Sequence, residues 1–454
     1  MTPLLHGTLG VDHPLLAKYH TIDIQAEHHE ALIQDLHQLP YVQTAYRVPH
    51  PVISQPPSLL ESRATWHDGI KDLTERATGT PDLQPYQRHL LPAEDGGIDA
   101  LFARANFPGA LGDGVQIFDV EAGWLHSHED LHPGFPTLGY ANQVDDKGSL
   151  FHGTAVAGII GGLLNGRGVD GIAPSAKFVA SSWFPNVASF TEDTTSTAQA
   201  MQRAVDLALP GDVMLLEAVF TYTDLENSPQ LTPDWFPDQF DIMRAATAKG
   251  LIVVQCAGNG DKSLQGQNLD DPVLDEARNR EFPGLEKLFP NPYKTGNPTS
   301  GAIFVGAGQP AGFQNMTGQA RFQWSNYGSR LDVQAWGGMI VTSSTADNSA
   351  MHFPILYSGG PNASYTSGFG GTSGAGAMIA GVIASTQGAV KAKGLEPLTA
   401  DDFRALFNDP KVGLPQADHP ELGGPETCRI GNQPDLRSLI PMAIERAQAK
   451  VGCK

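Results

Sequence analysis

Ser373 stands in Thr366–Gln387, a stretch in which a glycine-lined turn runs into residues almost all no larger than alanine. Small residues after a polar one read as the start of a buried helix. A hydroxyl there sits at the positive end of the helix dipole, beside backbone N–H groups that lack helical partners. That setting suits a nucleophile whose reaction develops an oxyanion. It equally suits a serine that merely caps a core helix, so chemistry requires a base and an acid elsewhere. His152 opens His-Gly-Thr-Ala-Val-Ala-Gly-Ile-Ile-Gly-Gly, at the front of a helix small-sided enough to pack tightly on its neighbours. Asn259 directly follows the apolar run of Val253–Gly258 and could donate its amide to an oxyanion, or could simply turn the chain in Asn-Gly. Asp119 and Glu121 lie two apart on a strand, so both point to one face and either could orient an imidazole.

From residue 98 onward, strands alternate with helices. The strand runs are Val115–Val120, Lys177–Ser181, Asp212–Leu216, Leu251–Gln255 and Ala302–Gly306. The helical runs are Gly153–Leu163, Thr197–Leu209, Asp238–Lys249 and Gly374–Val390. This pattern predicts an α/β fold, a doubly wound, mostly parallel sheet flanked by helices. Segments 260–300 and 343–366 read as long Gly/Pro/Asn-rich loops. Residues 1–57 read as a small N-terminal α+β domain. His20–Gln25 is strand-like, Leu32, Ile33, Leu36 and Leu39 share a helical face, and Val42, Thr44, Tyr46 and Val48 alternate. Pro49, Pro51, Pro56 and Pro57 stiffen its exit, and 58–97 reads as a linker to a catalytic domain over 98–454.

The chain has 454 residues and a formal charge of −20, from 29 Lys plus Arg against 49 Asp plus Glu. Such a surface repels nucleic acid and anionic membranes, so neither is expected as a partner. No apolar run reaches spanning length. No secretory signal is visible at Met1–Gly7, which leaves the compartment unknown and the cytoplasm the default unless a signal was removed. Cys256, Cys428 and Cys453 form neither a disulfide framework nor a metal-ligand pattern, and spacing does not decide whether the last two pair.

An acid on a strand, then His-Gly-Thr, Gly-Asn and Gly-Thr-Ser, in that chain order, resembles the subtilisin-like serine proteases. The likeness spans about residues 108–390. It is supported by Gly168–Pro174, Arg321–Gly328 and Leu331–Gly337, which are similar to family segments. The resemblance implies Ser373 as nucleophile, His152 as base and Asn259 as oxyanion donor of an endopeptidase acting on peptides or proteins, with no organic cofactor. It also implies a substrate-binding rim at Glu217, Ala218, Val219, Ala257 and Gly258.

Several departures from the family pattern stand out. The family's His-Pro-Asp-Leu-like run begins seven residues after the acid. Counting back from His128 gives Glu121, so Glu121 is expected to replace the usual aspartate. Gly374, Ala377 and Met378 stand where relatives carry Met, Pro and His, which makes acyl transfer to an amine thinkable beside hydrolysis. Glu217-Ala218-Val219 replaces Ser-Leu-Gly on the substrate strand. The Glu217 carboxylate could select a basic side chain or point away into a hydrogen-bond network. By resemblance, Asp130 and Asn165, with the carbonyls of Leu163, Arg167 and Val169, form a structural calcium site. The N-terminal unit resembles the family's propeptide, or is a permanent accessory domain. The altered acid also leaves open an inactive relative that only binds, or a dedicated peptide-processing enzyme.

Overall fold

The computed structural model describes residues 2–3, 19–22, 28–39, 42–47, 51–53 and 79–452, except 140–146, 185–195, 224, 226–227, 261–262, 264, 313–315 and 348–352. The strands are β1 (Thr2–Pro3), β2 (His20–Thr21), β3 (Val52–Ile53), β4 (Gln116–Glu121), β5 (Thr137–Leu138), β6 (Lys177–Ser182), β7 (Val213–Leu216) and β8 (Ala218–Thr221). They continue with β9 (Gln230–Leu231), β10 (Ile252–Cys256), β11 (Ile303–Gly308), β12 (Val333–Trp336), β13 (Ile340–Ser344), β14 (Ile355–Ser358) and β15 (Ser364–Phe369). The helices are α1 (His29–His37), α2 (Ala100–Asn106), α3 (Lys147–Gly161), α4 (Thr197–Leu207) and α5 (Pro237–Lys249). After them come α6 (Pro272–Glu281), α7 (Gly371–Ala392), α8 (Ala400–Phe407), α9 (Pro425–Cys428) and α10 (Leu436–Gly452).

Continuous apolar runs rather than alternating ones mark strands covered on both faces. Seven of them pair in parallel in the order β12-β11-β10-β7-β4-β6-β5. Successive residues feed opposite cores. Ile117, Val213, Leu215, Ile252 and Val254 pack with the α3 and α7 side, while Phe118, Val120, Met214, Leu216 and Val253 pack with the α4 and α5 side. The expected doubly wound parallel sheet is the fold observed. Central among its helices is α7, buried from Gly371 through Val390. Its small residues let it lie against backbone, and a Cβ on Gly388 would fall 2.2 Å from the Gly109 carbonyl oxygen.

The elements differ from the sequence reading in instructive places. Helix α3 begins at Lys147, so His152 sits inside it rather than at its front. Segment 260–300 contains α6, which Asp271 caps by accepting from the Val273 N–H at 2.9 Å, with Pro272 at the first helical position. Segment 343–366 holds β14 and the start of β15.

The described part of the expected linker, 79–97, is packed into the body. Leu83 and Leu90 are buried, the Leu83 N–H donates to the Gly168 carbonyl and the Gly168 N–H to the Pro81 carbonyl, both at 2.7 Å, and Trp336 donates to the Gly96 carbonyl at 2.8 Å. Short 3₁₀ turns build this stretch, which is why it lacked periodicity. Residues 58–78, Val48 and the strand-like 23–25 lie outside the described residues.

In the N-terminal unit α1 forms as expected, but Val42–Arg47 makes no ladder. The pairing strand comes later, where Val52 and Ile53 add antiparallel to Val219 and Ala218 of β8. Tyr19 donates to Asp241 at 2.7 Å and Tyr46 to Asp238 at 2.5 Å, which ties the unit to the first turns of α5.

Candidate active site

In a parallel sheet, functional side chains gather at the carboxyl ends of strands. Here Asp119 and Glu121 end β4, Glu217 follows β7 and Cys256 ends β10, all on the face covered by α3 and α7. All four are fully buried. Helix α3 lies directly on the turn after β4, and a Cβ on Gly153 would fall 2.3 Å from the Gly123 carbonyl oxygen. That contact sets His152 against the end of β4. Hydroxyls of Thr342 and Ser343 donate to the Ala155 and Thr154 carbonyls at 2.8 and 2.6 Å, fixing the helix from its other side.

His152 Nδ1 and Glu121 Oε1 form a short hydrogen bond. Asp119 is occupied otherwise, its Oδ2 accepting from Trp124 Nε1 at 2.8 Å. Of the two carboxylates, then, Glu121 is the one that meets the imidazole. Burial favours the uncharged form of each member of this pair, pushing Glu121 up and His152 down to about 4. For His152 the charge of Glu217 works in the opposite sense. A neutral imidazole that donates from Nδ1 to the Glu121 carboxylate leaves Nε2 as an acceptor. The ring is braced edge-on by Phe369, at 5.3 Å between centroids, just ahead of the helix that carries Ser373.

Ser373 is the third residue of α7, in the turn whose N–H groups have no helical acceptor. Gly371 precedes it with φ +82°, and Gly370 lies where a Cβ would fall 2.2 Å from the Gly337 carbonyl oxygen. These two positions need glycine. Asn259 is oriented by Thr372, whose N–H and hydroxyl donate to its Oδ1 at 2.8 and 2.9 Å. With Oδ1 committed, Nδ2 points the other way and has no partner. Thr372 was not singled out from the sequence, although it lies within Gly-Thr-Ser. Gln230 is a second addition, its Oε1 accepting from the Asn259 N–H at 2.9 Å. Nothing in its local sequence marked it.

Among the buried atoms without hydrogen-bond partners at this site are His152 Nε2, Ser373 Oγ and Asn259 Nδ2, together with one oxygen each of Asp119, Glu121 and Glu217. An orphaned buried polar atom costs about 1–3 kcal/mol, and a cluster of them at one sheet edge points to a group yet to arrive.

Glu217 faces inward and takes part in a hydrogen bond, its Oε2 accepting from Cys256 Sγ at 3.2 Å, as the second of its two expected arrangements has it. Ala218 and Val219 carry the strand that β3 occupies, and the Gly258 N–H donates to Thr372 Oγ1 at 3.2 Å.

The expected calcium loop is closed by hydrogen bonds. Both Asp130 oxygens are taken, Oδ1 by Asn165 Nδ2 at 2.8 Å and Oδ2 by the Val169 N–H at 2.6 Å. Asn165 Oδ1 accepts from the Arg167 N–H, and the Leu163 carbonyl accepts from the Asn165 N–H. Among the described residues no three His, Cys, Asp or Glu side chains gather to hold a metal. With an amide nitrogen facing the carboxylate, these residues do not fit calcium as arranged, since that ion takes six or more oxygen ligands. Cys256 and Cys428 are free thiols, and Cys453 lies outside the described residues.

A parallel sheet with an acid, a histidine, an asparagine and a serine at its carboxyl edge defines a class of α/β serine hydrolase. The subtilase family model matches residues 118–418, and the chain belongs to that family of serine proteases. A stretch of 154 residues is 28% identical to the minor extracellular protease Epr of Bacillus subtilis (strain 168), covering 33% of this chain and 21% of that protein. The chain thus matches about a fifth of that relative's length. Among solved structures, a protease from Pseudoalteromonas arctica is 20% identical with a TM-score of 0.49, over 81% of this chain and 100% of that one. A cold-adapted subtilisin-like serine proteinase is 19% identical with a TM-score of 0.43, over 74% and 91%.

Proposed function

We propose that the chain is a serine endopeptidase that cleaves peptide bonds through an acyl-enzyme, with Glu121 as the acid that orients His152. The observation that carries this reading is the Glu121–His152 hydrogen bond, set beside the unpartnered Nε2, Oγ and Nδ2 atoms. Ser373 Oγ attacks the substrate carbonyl carbon while its proton passes to His152 Nε2. The carbonyl π electrons move onto oxygen, where the amide of Asn259 and the backbone N–H of Ser373 receive them. His152 then protonates the leaving amine, and water repeats the sequence to release the acid. The hydroxyl and imidazole are not joined in the resting chain, and such contacts commonly close only around substrate.

The N-terminal unit is read as a propeptide. Its Val52–Ile53 strand adds to β8 as an extended substrate would, and Ser373 is fully buried in its presence. Peptides or proteins are the substrate class. The test is fluorophosphonate labelling of the full chain, followed over time with the chain's length. Labelling at Ser373, with loss of the N-terminal segment in wild type but not in Ser373→Ala, is the expected result. A chain that stays unlabelled and intact would instead be a binding relative without catalysis.

A further inference from the structure

Like Asp119, which is held by Trp124, Glu217 is a carboxylate at this sheet edge that the reaction above does not use. It is fully buried, and its environment is built around it. Oε2 accepts from Cys256 Sγ, while Oε1 has no partner. A Cβ on Gly376, in the second turn of α7, would fall 2.5 Å from Cys256 Sγ and 3.5 Å from Glu217 Oε1. Only a glycine there leaves the thiol its place, and the carboxyl would be left in ordinary contact. The unpartnered oxygen therefore lies beneath the turn after the one that carries the nucleophile.

The Glu217 N–H donates to the Val120 carbonyl at 3.2 Å, which sets Glu217 on the neighbouring strand beside Glu121, the residue that holds His152. Asp119 from β4, His152 from α3, Cys256 from β10 and Ser373 from α7 are the other titratable or polar groups that act on it. We propose that Glu217 is a positioning residue for the reaction, a second carboxyl whose ionisation places a negative charge beside His152 and makes the imidazole a stronger base. This inference rests on the serine-protease reading of the site. In the step concerned, the Oγ–H bond of Ser373 breaks, its proton goes to Nε2 and the Oγ–carbon bond forms. Glu217 exchanges no proton with substrate and acts through the charge that His152 acquires. Burial raises the Glu217 carboxyl to about 8, with Glu121 and Asp119 adding to the rise and His152 and the Ser373 hydroxyl opposing it. The carboxyl is consequently neutral at pH 7 and charged above about pH 8.

The test is the rate of fluorophosphonate labelling against pH, on full chain incubated until labelling is reproducible. Wild type should show an additional rise of about three- to tenfold between pH 7 and 9, since one pK unit on the base corresponds to at most about tenfold. In Glu217→Gln, which keeps the shape and loses the charge, that rise should vanish while labelling at pH 7 persists. Cys256→Ser offers the carboxylate a stronger donor and should move the rise to lower pH. Should Glu217→Gln fail to fold, the infrared carbonyl band of a protonated carboxyl in wild type, lost between pH 7 and 9, supplies the same readout. Identical profiles in wild type and Glu217→Gln, or no such band, would overturn the inference and leave the protease reading standing. Absence of labelling in wild type at any pH would overturn the reading itself.

Discussion

Two regions of this molecule begin from the same material, a buried carboxylate beside α3, and end in opposite states. Around Asp130, every side-chain oxygen finds an N–H within its own loop. Around Glu121, one oxygen meets His152 and the rest of the corner is left incomplete, with Nε2, Oγ and Nδ2 all unpaired. The first arrangement is self-sufficient. The second bears a standing cost in stability, of the kind expected where a partner completes the network only during reaction.

Substitutions at the open corner should therefore cost activity, and changes at the closed loop should cost little. Ser373→Ala is the largest case. Labelling should be abolished and peptide turnover should fall by at least about a thousandfold, measured on purified full chain. Next comes the acid. Glu121→Gln should lower kcat/KM by about a hundredfold or more, and Asp119→Asn by less than about fivefold, because only Glu121 meets the imidazole. The reverse order would mean that the hydrogen bond marks the wrong carboxylate. Asn259→Ala should lower kcat by about a hundred- to a thousandfold, the known size of an oxyanion donor's contribution in this family. Thr372→Val should cost less, about tenfold, through loss of the hydroxyl that holds the amide in place.

Smaller effects concern stability. The Glu217 carboxyl is raised to about 8, so the folded chain holds a proton there that the unfolded chain gives up above the ordinary carboxylate range. Stability from this group is present at low pH and declines as pH rises to about 8. Glu217→Gln should thus raise the thermal midpoint at pH 8 and leave it nearly unchanged at pH 4.5. Smallest of all, chelator should move the thermal midpoint by less than about 2 °C, since the Asp130 loop closes on its own hydrogen bonds. A fall of several degrees would show that the loop opens its oxygens to a cation after all.

Much of the scaffold was legible because buried parallel strands write themselves as apolar runs. All five expected strands form within one or two residues of their predicted ends. The choice of Glu121 over Asp119 for the imidazole was legible from the count back from His128. What escaped was contact made by isolated side chains. Gln230 reaches Asn259 from another hairpin, and no local pattern encodes that. Thr372 was hidden inside its own motif, because spacing names a nucleophile but does not show what steers its neighbours. Residues 79–97 were read as a linker because 3₁₀ turns bury single residues such as Leu83 and His89 without a period. The Asp130 loop shows the opposite limit: its residue types suggested ligands, but the direction of one amide decides whether they act as such.

Strands β3 and β8 belong to one polypeptide, so their pairing is a unimolecular event. Dilution cannot separate them, and on the propeptide reading proposed above an outside peptide would compete with a tethered rival at an effective concentration of about millimolar. A cut in residues 54–78 would make that pairing bimolecular, held by β3 on β8 and by Tyr19 and Tyr46 on α5. On that reading a single covalent event would change a contact indifferent to dilution into one that dilution weakens.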